Sequence, residues 1–214
     1  MMHAYNDLYL NDARRSLANS LDYAVYSLGM DLNDYYNMFI RSDICTRFEK
    51  GDPFIVSGKS GIELALMIVS RNMGEQEYRE RIYNQGKTPE YWAGWALAFY
   101  QWYTTCSFSR LECEVPISGI MNMYDKYHEM DIMHFVDRLN EMRKAARLTT
   151  YLKKYRELRG YSQSQLSDMT GIPLRTLQHY EQGDKPLAKA NAAYIISLAR
   201  ALECRPEELI ETFG

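Results

Sequence analysis

The sequence predicts an all-α chain in two parts, a multi-helix N-terminal domain followed by a C-terminal module of shorter helices. Three observations carry this. Apolar residues recur at helical spacing along most of the 214 residues. Capping residues precede these stripes, and glycines follow them. From about residue 149 the elements shorten and the turns are sharply marked.

Taken in order, "LNDARRSLANSLDYAVYSLGM" (10–30) places Leu17, Leu21, Ala24, Val25 and Leu28 on one helical stripe, with Gly29 as its stop. Asp31 is placed to cap the next helix through Ile40, and a further helical piece is expected over 41–50. Gly58-Lys59-Ser60 invites a phosphate-loop reading. That motif needs a glycine five residues earlier, where Pro53 stands. Ser60-x-x-Glu63 before an apolar run is instead a capping box. A short polar helix is expected over 75–84. Thr88-Pro89 then opens "EYWAGWALAFYQWYTT" with a cap and a proline suited to a first turn. This helix is apolar nearly all round, which fits a central position. Part of its aromatic surface, Trp92, Trp95 and Trp102, is alternatively a partner groove or ligand pocket. Pro116 starts a helix over "ISGIMNMYDKYHEM", and a long helical segment runs from about Asp131 to Ala146.

Composition excludes several function classes. Hydrophobic residues make up 46%, enough for a real core. No run of about 18 apolar residues suggests a membrane span, and "MMHAYNDLYLND" lacks the basic start and apolar run of a secretory signal. The four cysteines (45, 106, 113, 204) form no C-x-x-C pair and read as reduced thiols of a cytoplasmic protein. His128 and His134 are six apart and share no helix face for a metal. No nucleophile–base pair and no paired carboxylates stand out, so neither enzyme activity nor a cofactor is expected.

The net charge of −3 argues against a polyanion partner until it is divided. Residues 1–148 hold 16 Lys+Arg against 20 Asp+Glu, whereas 149–214 hold 9 against 8. Within "RKAARLTTYLKKYRELRG" (143–160) seven residues are basic and one acidic, either a solvated face or a stripe for a polyanion. "TYLKKYRELRG" predicts a helix with Leu152, Tyr155 and Leu158 inward, stopped by Gly160. Ser162 caps a helix over 163–170, with Leu166 and Met169 buried and Gly171 in the turn. Pro173 suits the first position of a helix to about Gln182, stopped by Gly183. At about 100° per residue, Leu174, Gln178, Gln182, Arg175 and His179 share an arc of about 140°, while Tyr180, Pro173 and Leu177 share about 60° of the other side. The first arc offers the donors, acceptors and apolar contact that base edges in the major groove accept. Two short helices joined by a glycine turn, the second with such a face, make a helix-turn-helix.

"LRGYSQSQLSDMTGIPLRTLQHYEQGDKP" closely resembles the phage-repressor (XRE-type) helix-turn-helix family. Ser162-Gln163, Leu166, Gly171-Ile172, Leu177, Glu181 and Gly183 match in register. "AAYIISLARALECRPEELI" (192–210) looks like that family's fourth and fifth helices. The resemblance covers the last third of the chain and implies a five-helix lambda-repressor-like DNA-binding domain over 149–214. A basic junction at 143–148 joins it to a helical domain over 1–142. It implies base contacts from Leu174, Arg175, Gln178 and His179, and phosphate contacts from Gln163, Thr176, Gln182 and Lys185. Arg156 and Glu181 are implied as a structural pair tying the module's first helix to its third. Leu174 stands where the family often has a polar residue, so a thymine methyl is its natural contact. The expected function is a sequence-specific transcriptional regulator, a dimeric repressor of double-stranded DNA. The N-terminal domain would serve oligomerisation or bind a small effector or protein partner. The alternative is an antitoxin-like protein that binds a toxin through that domain and autoregulates its operon.

Overall fold

The computed structural model describes residues 3–74, 78–84, 86–146 and 150–210. Among these, helix is the only regular element, in fifteen α-helices and two short 3₁₀ turns. The chain divides into two compact units, Met1–Asn140 and Glu141–Gly214. The N-terminal unit holds α1 (Leu10–Tyr26), α2 (Leu32–Arg41), α3 (Asp43–Glu49), α4 (Pro53–Val56), α5 (Gly61–Met73), α6 (Pro89–Thr104), α7 (Phe108–Glu114), α8 (Ile117–Met121) and α9 (Tyr124–Tyr127). Helix α10 (Ile132–Ala146) contains the division between the units. The C-terminal unit holds α11 (Tyr151–Leu158), α12 (Gln163–Thr170), α13 (Leu174–Gln182), α14 (Ala192–Ala201) and α15 (Pro206–Leu209).

Local signals explain most of the helix starts. Asp31 Oδ1 accepts from the N–H groups of Asn33 and Asp34 at 2.8 and 3.2 Å. Ser60 and Glu63 form the capping box, with Ser60 N–H on Glu63 Oε2 at 2.9 Å and Glu63 N–H on Ser60 Oγ at 3.2 Å. Thr88 caps α6 through the Tyr91 N–H. Pro116 has no side chain to cap α8, and Glu112, from the preceding helix, accepts the Ile117 N–H at 2.8 Å instead. The stretch expected as one helix after Pro116 is broken into α8 and α9.

Helix α1 is the axis of the N-terminal unit. It packs on both α5 and α6, and Ala13, Leu17, Ala18, Leu21 and Ala24 are fully buried. Two glycines allow this. A Cβ on Gly94 of α6 would lie 2.8 Å from both Ala18 Cα and Leu17 O. One on Gly61 of α5 would lie 2.3 Å from Asn19 Cβ and 2.7 Å from Ser16 O. These are backbone approaches that no rotamer change relieves. A second cluster joins α2, α3 and α7, with the Phe39 ring 6.1 Å from Phe48 and 5.3 Å from Phe108.

The polar helix expected over 75–84 is not found over 78–84, and residues 75–77 lie outside the described residues. Residues 79–82 are instead pinned to α1. Tyr23 Oη donates to Arg79 O and accepts from Arg79 N–H, and Ser27 Oγ accepts from Ile82 N–H. The Arg81 guanidinium reaches Asn19 at 2.7 Å and the buried Asp22 at 3.2 Å, and Thr88 donates to the same Asp22 at 2.6 Å. These tertiary bonds take up the Arg79 N–H and C=O and the Ile82 N–H without helix.

In the C-terminal unit, α12 packs on α13 and α14, and α11 on α13 and α15. Leu152, Tyr155, Leu166, Leu177, Leu198, Leu202 and Leu209 form its core.

Two predictions follow from this packing. Gly94→Ala should lower stability by about 1–3 kcal/mol through overpacking against α1, read as a lower urea midpoint with little change in slope. Glu112 is 8% exposed, and burial raises its carboxyl from 4.5 to about 7. Between those two values the folded chain holds a proton that the unfolded chain has released, so this group's stabilising contribution is lost as pH rises through about 7. Glu112→Gln keeps an acceptor for the Ile117 N–H. It should exceed the wild type in stability by a few kcal/mol at pH 8 and lose that advantage near pH 4.5, in urea titrations at both values.

Candidate nucleic-acid interface

The site is built on α12, the Gly171 turn and α13. Ser162 caps α12 by accepting the Gln165 N–H at 3.1 Å, and Gln165 Oε1 returns the bond to Ser162 N–H at 2.8 Å. Gly171 ends the helix at φ +69, where a side chain would be strained. Ser167 Oγ donates to Ile172 O across the turn at 2.6 Å, and Ile172 is buried beneath it. Pro173 is the N-cap of α13 rather than its first residue, and it gives no side-chain cap. Met169, expected inside, is 53% exposed. The buried ridge of this short helix runs from Leu166 to Ile172 past the turn, which leaves Met169 on the flank.

Helix α13 is sharply two-sided. Leu177, Tyr180 and Glu181 are buried. Leu174 is 40% exposed, Arg175 and Gln182 are exposed, and Thr176, Gln178 and His179 are half-buried. Lys185 is exposed two residues beyond Gly183, and its N–H bonds to His179 O at 3.3 Å.

What fixes this orientation is a buried ion pair. Arg156 Nε donates to Glu181 Oε1 at 2.6 Å and Nη2 to Oε2 at 3.0 Å, a two-point fork. The third guanidinium nitrogen, Nη1, donates to Tyr161 O at 2.7 Å. Thr150 Oγ1 donates to the main-chain oxygen of Glu181 at 2.9 Å. The hydrogen-bonded Glu181 carboxylate raises the Arg156 pKa above its already high ordinary value, so the guanidinium stays charged.

The same carboxylate organises the polar surface. Gln163 Nε2 donates to Glu181 Oε2 at 2.8 Å, and Gln178 Nε2 reaches Gln163 Oε1 at 3.4 Å. Gln163 and Gln178, on different helices, are therefore brought side by side. His179 Nδ1 faces Asp184 Oδ2 at 3.0 Å, which leaves Nε2 as the ring's outward nitrogen. Sequence reasoning gave no role to Asp184. It also missed Arg159, whose Nε donates to Leu202 O at 2.7 Å and Nη2 to Glu203 O at 3.0 Å. That buried arginine closes α11 onto the end of α14. Burial of Arg156 and Arg159 also shortens the basic stripe of 143–160, because both point into the fold. Of the expected junction, 143–146 complete α10, and 147–148 lie outside the described residues.

The expected partner or ligand surface of Trp92, Trp95 and Trp102 is corrected for two of its three members. Trp92 is buried, 5.8 Å from Tyr124 and 5.4 Å from Phe135, ring centre to ring centre. Trp102 is buried beneath the chain's first described residues. His3 stacks on it at 3.8 Å, and its Nε1 donates to Tyr5 O at 2.9 Å. Helix α6 is aromatic all round because neighbours cover it on several sides. Among the described residues no group of three or more His, Cys, Asp or Glu side chains could hold a metal, and no helix is long and apolar enough to cross a membrane.

Glu181→Ala should cost about 3–5 kcal/mol, since it leaves the Arg156 charge buried without its partner. The double change Arg156→Met with Glu181→Leu should cost much less. Urea unfolding of the full chain, with amide exchange read on α11 and α13, compares the two.

Comparison with curated proteins and with solved structures finds no match. A helix-turn-helix family model matches residues 152–209, the span from the start of α11 to the end of α15. Residues 152–209 are thus a DNA-binding helix-turn-helix domain of the XRE type.

Proposed function

We propose that this chain is a sequence-specific transcriptional regulator that binds DNA as a two-fold dimer and represses, with α13 in the major groove. The observation that carries the reading is the sidedness of α13. Leu177, Tyr180 and Glu181 anchor it, while Leu174, Arg175, Gln178 and His179 stand on the other side. Arg175 forms no ion pair among the described residues and suits the two acceptors of guanine, O6 and N7. Gln178 suits adenine N6 and N7, and Leu174 a thymine methyl. His179, with Nδ1 turned to Asp184, offers Nε2 to a base edge. Gln163, at the first turn of α12, and Thr176, Gln182 and Lys185 flank this set and suit phosphate oxygens.

The dimer follows from reach. Nine residues of helix span about 13 Å, or roughly four base pairs at 3.4 Å each. A four-base-pair word recurs about every 250 base pairs by chance, so selectivity in a genome requires two half-sites. Two such modules fit half-sites about one helical turn apart. A dimer seated on a promoter shuts out polymerase by occupancy alone, so repression needs no further surface.

Genome-wide footprinting of the full chain tests the reading. It should return a palindromic site, with affinity falling steeply as salt rises. Arg175→Ala should weaken binding by about 1–3 kcal/mol, roughly five- to 150-fold, and relax preference at one base pair of each half-site. Lys185→Ala should weaken all sequences alike and reduce the salt slope by about 1. Specific binding that Arg175→Ala leaves unchanged would sink the recognition assignment.

A further inference from the structure

The N-terminal unit contains an arginine that its own fold does not satisfy. The guanidinium carbon of Arg14, on α1, lies 3.3 Å from the ring centre of Trp95 and 4.9 Å from that of Phe99, both on α6. Stacking uses the faces of the guanidinium and leaves its edge to make hydrogen bonds. On that edge Nε and Nη2 are shut off from solvent and have no hydrogen-bond partner among the described residues. Arg15, the next residue, is paired with Asp12 at 2.6 Å, on a different face of the helix from Arg14. Burial lowers the Arg14 pKa to about 10, which still leaves it charged at neutral pH.

The atoms concerned decide what would satisfy it. Nε and Nη2 are the two donors with which Arg156 grips Glu181, at 2.6 and 3.0 Å. Arg14 presents the same fork. A second cation lies near the same indole. Lys87 Nζ lies 5.5 Å from the Tyr91 ring and 6.0 Å from the Trp95 ring, and Lys87 makes no ion pair among the described residues. The nearby Glu90 carboxylate is engaged by Tyr26 Oη at 2.9 Å. Two cations thus lie within 6.0 Å of one indole centre, in a unit whose charge is otherwise acidic. Lys87 is exposed, so its side chain is free to move.

We propose that Arg14 and Lys87, over Trp95 and Tyr91, form a receptor for the carboxylate or phosphate group of a small anionic effector. The Arg14 fork takes two oxygens of the anion, and Lys87 closes over it as a point charge. That the ligand is an effector of DNA binding rests on the regulator reading above; that it binds does not.

The test reads binding directly, without DNA. The full chain is titrated with sodium acetate and, separately, with inorganic phosphate, using sodium chloride at matched ionic strength as the control. Emission of Trp95 beneath Arg14 and the melting midpoint are followed together. At least one oxyanion should give a saturable change in emission and, at tenfold over its Kd, raise the midpoint by about 3 °C or more. Chloride should do neither. Saturation by acetate alone assigns a carboxylate, and by phosphate alone a phosphate ester. Trp95→Phe should remove the emission change while the midpoint still rises. Arg14→Lys keeps the charge but loses the fork, and should weaken binding tenfold or more. Lys87→Met, at an exposed position, should weaken it several-fold with the ligand-free midpoint unchanged. No saturation by either oxyanion overturns the proposal, as does an Arg14→Lys chain that titrates like the wild type. Should Arg14→Lys lower the ligand-free midpoint, Lys87→Met decides, and unchanged affinity there overturns the proposal. A chain that binds its operator tightly but responds to neither oxyanion would keep the DNA reading and lose this one.

Discussion

The C-terminal unit turns on one carboxylate. Glu181 sits on the inner side of the helix whose outer side carries Leu174, Arg175, Gln178 and His179. Its two oxygens take the Arg156 fork, and one of them also takes the Gln163 amide. Helices α11, α12 and α13 are thereby referred to one point. A charge taken from water is costly, and only close, two-point geometry offsets that cost. The pair is therefore better understood as fixing one orientation than as adding net stability. A rotation of α13 by one residue would break the fork and would turn Leu177 out of the core with it.

The N-terminal unit depends on a different constraint, the closeness of backbones. Gly61 and Gly94 let α5 and α6 lie against α1 where a methyl group would collide with main-chain or Cβ atoms. Dispersion between surfaces so close is gained over many atoms at once. The same closeness pushes the large aromatics of α6 toward its other sides, where Trp92 meets Phe135 and Tyr124, and Trp102 meets His3. Trp95 is left with a guanidinium as its cover. The unsatisfied edge of Arg14 is a by-product of that packing, and it gives an otherwise acidic unit a place with anion chemistry.

The comparison of sequence with structure follows the range over which each signal acts. Asp31, the Ser60–Glu63 box, Thr88 and Ser162 were legible because a cap is a bond within three residues. The glycine stops at 160, 171 and 183 were legible because φ is a local property, and all three are left-handed. The outward set on α13 was legible because helical spacing maps directly onto angle. Failures came where a distant partner decided the outcome. Residues 79–82 lack helix because Tyr23 and Ser27, more than fifty positions away, hold their backbone groups. Met169 lies outside because the ridge of α12 is continued by Ile172 beyond a turn. Arg159 looked like one more member of a basic stripe, and two main-chain oxygens at 202 and 203 drew it inside.

By itself the sequence determined the helical class, most helix starts and stops, the presence of a helix-turn-helix and the residues on its outer face. Each follows from bonds or angles within one or two turns of chain. The resemblance implied the Arg156–Glu181 pair, and helical spacing put Arg175 outside, but only the tertiary structure decided that Arg159 is spent inside the fold and that the edge of Arg14 is not. The reason is physical: whether a charge is compensated depends on which atoms lie within about 3 Å of it, and that is set by how the chain folds back on itself.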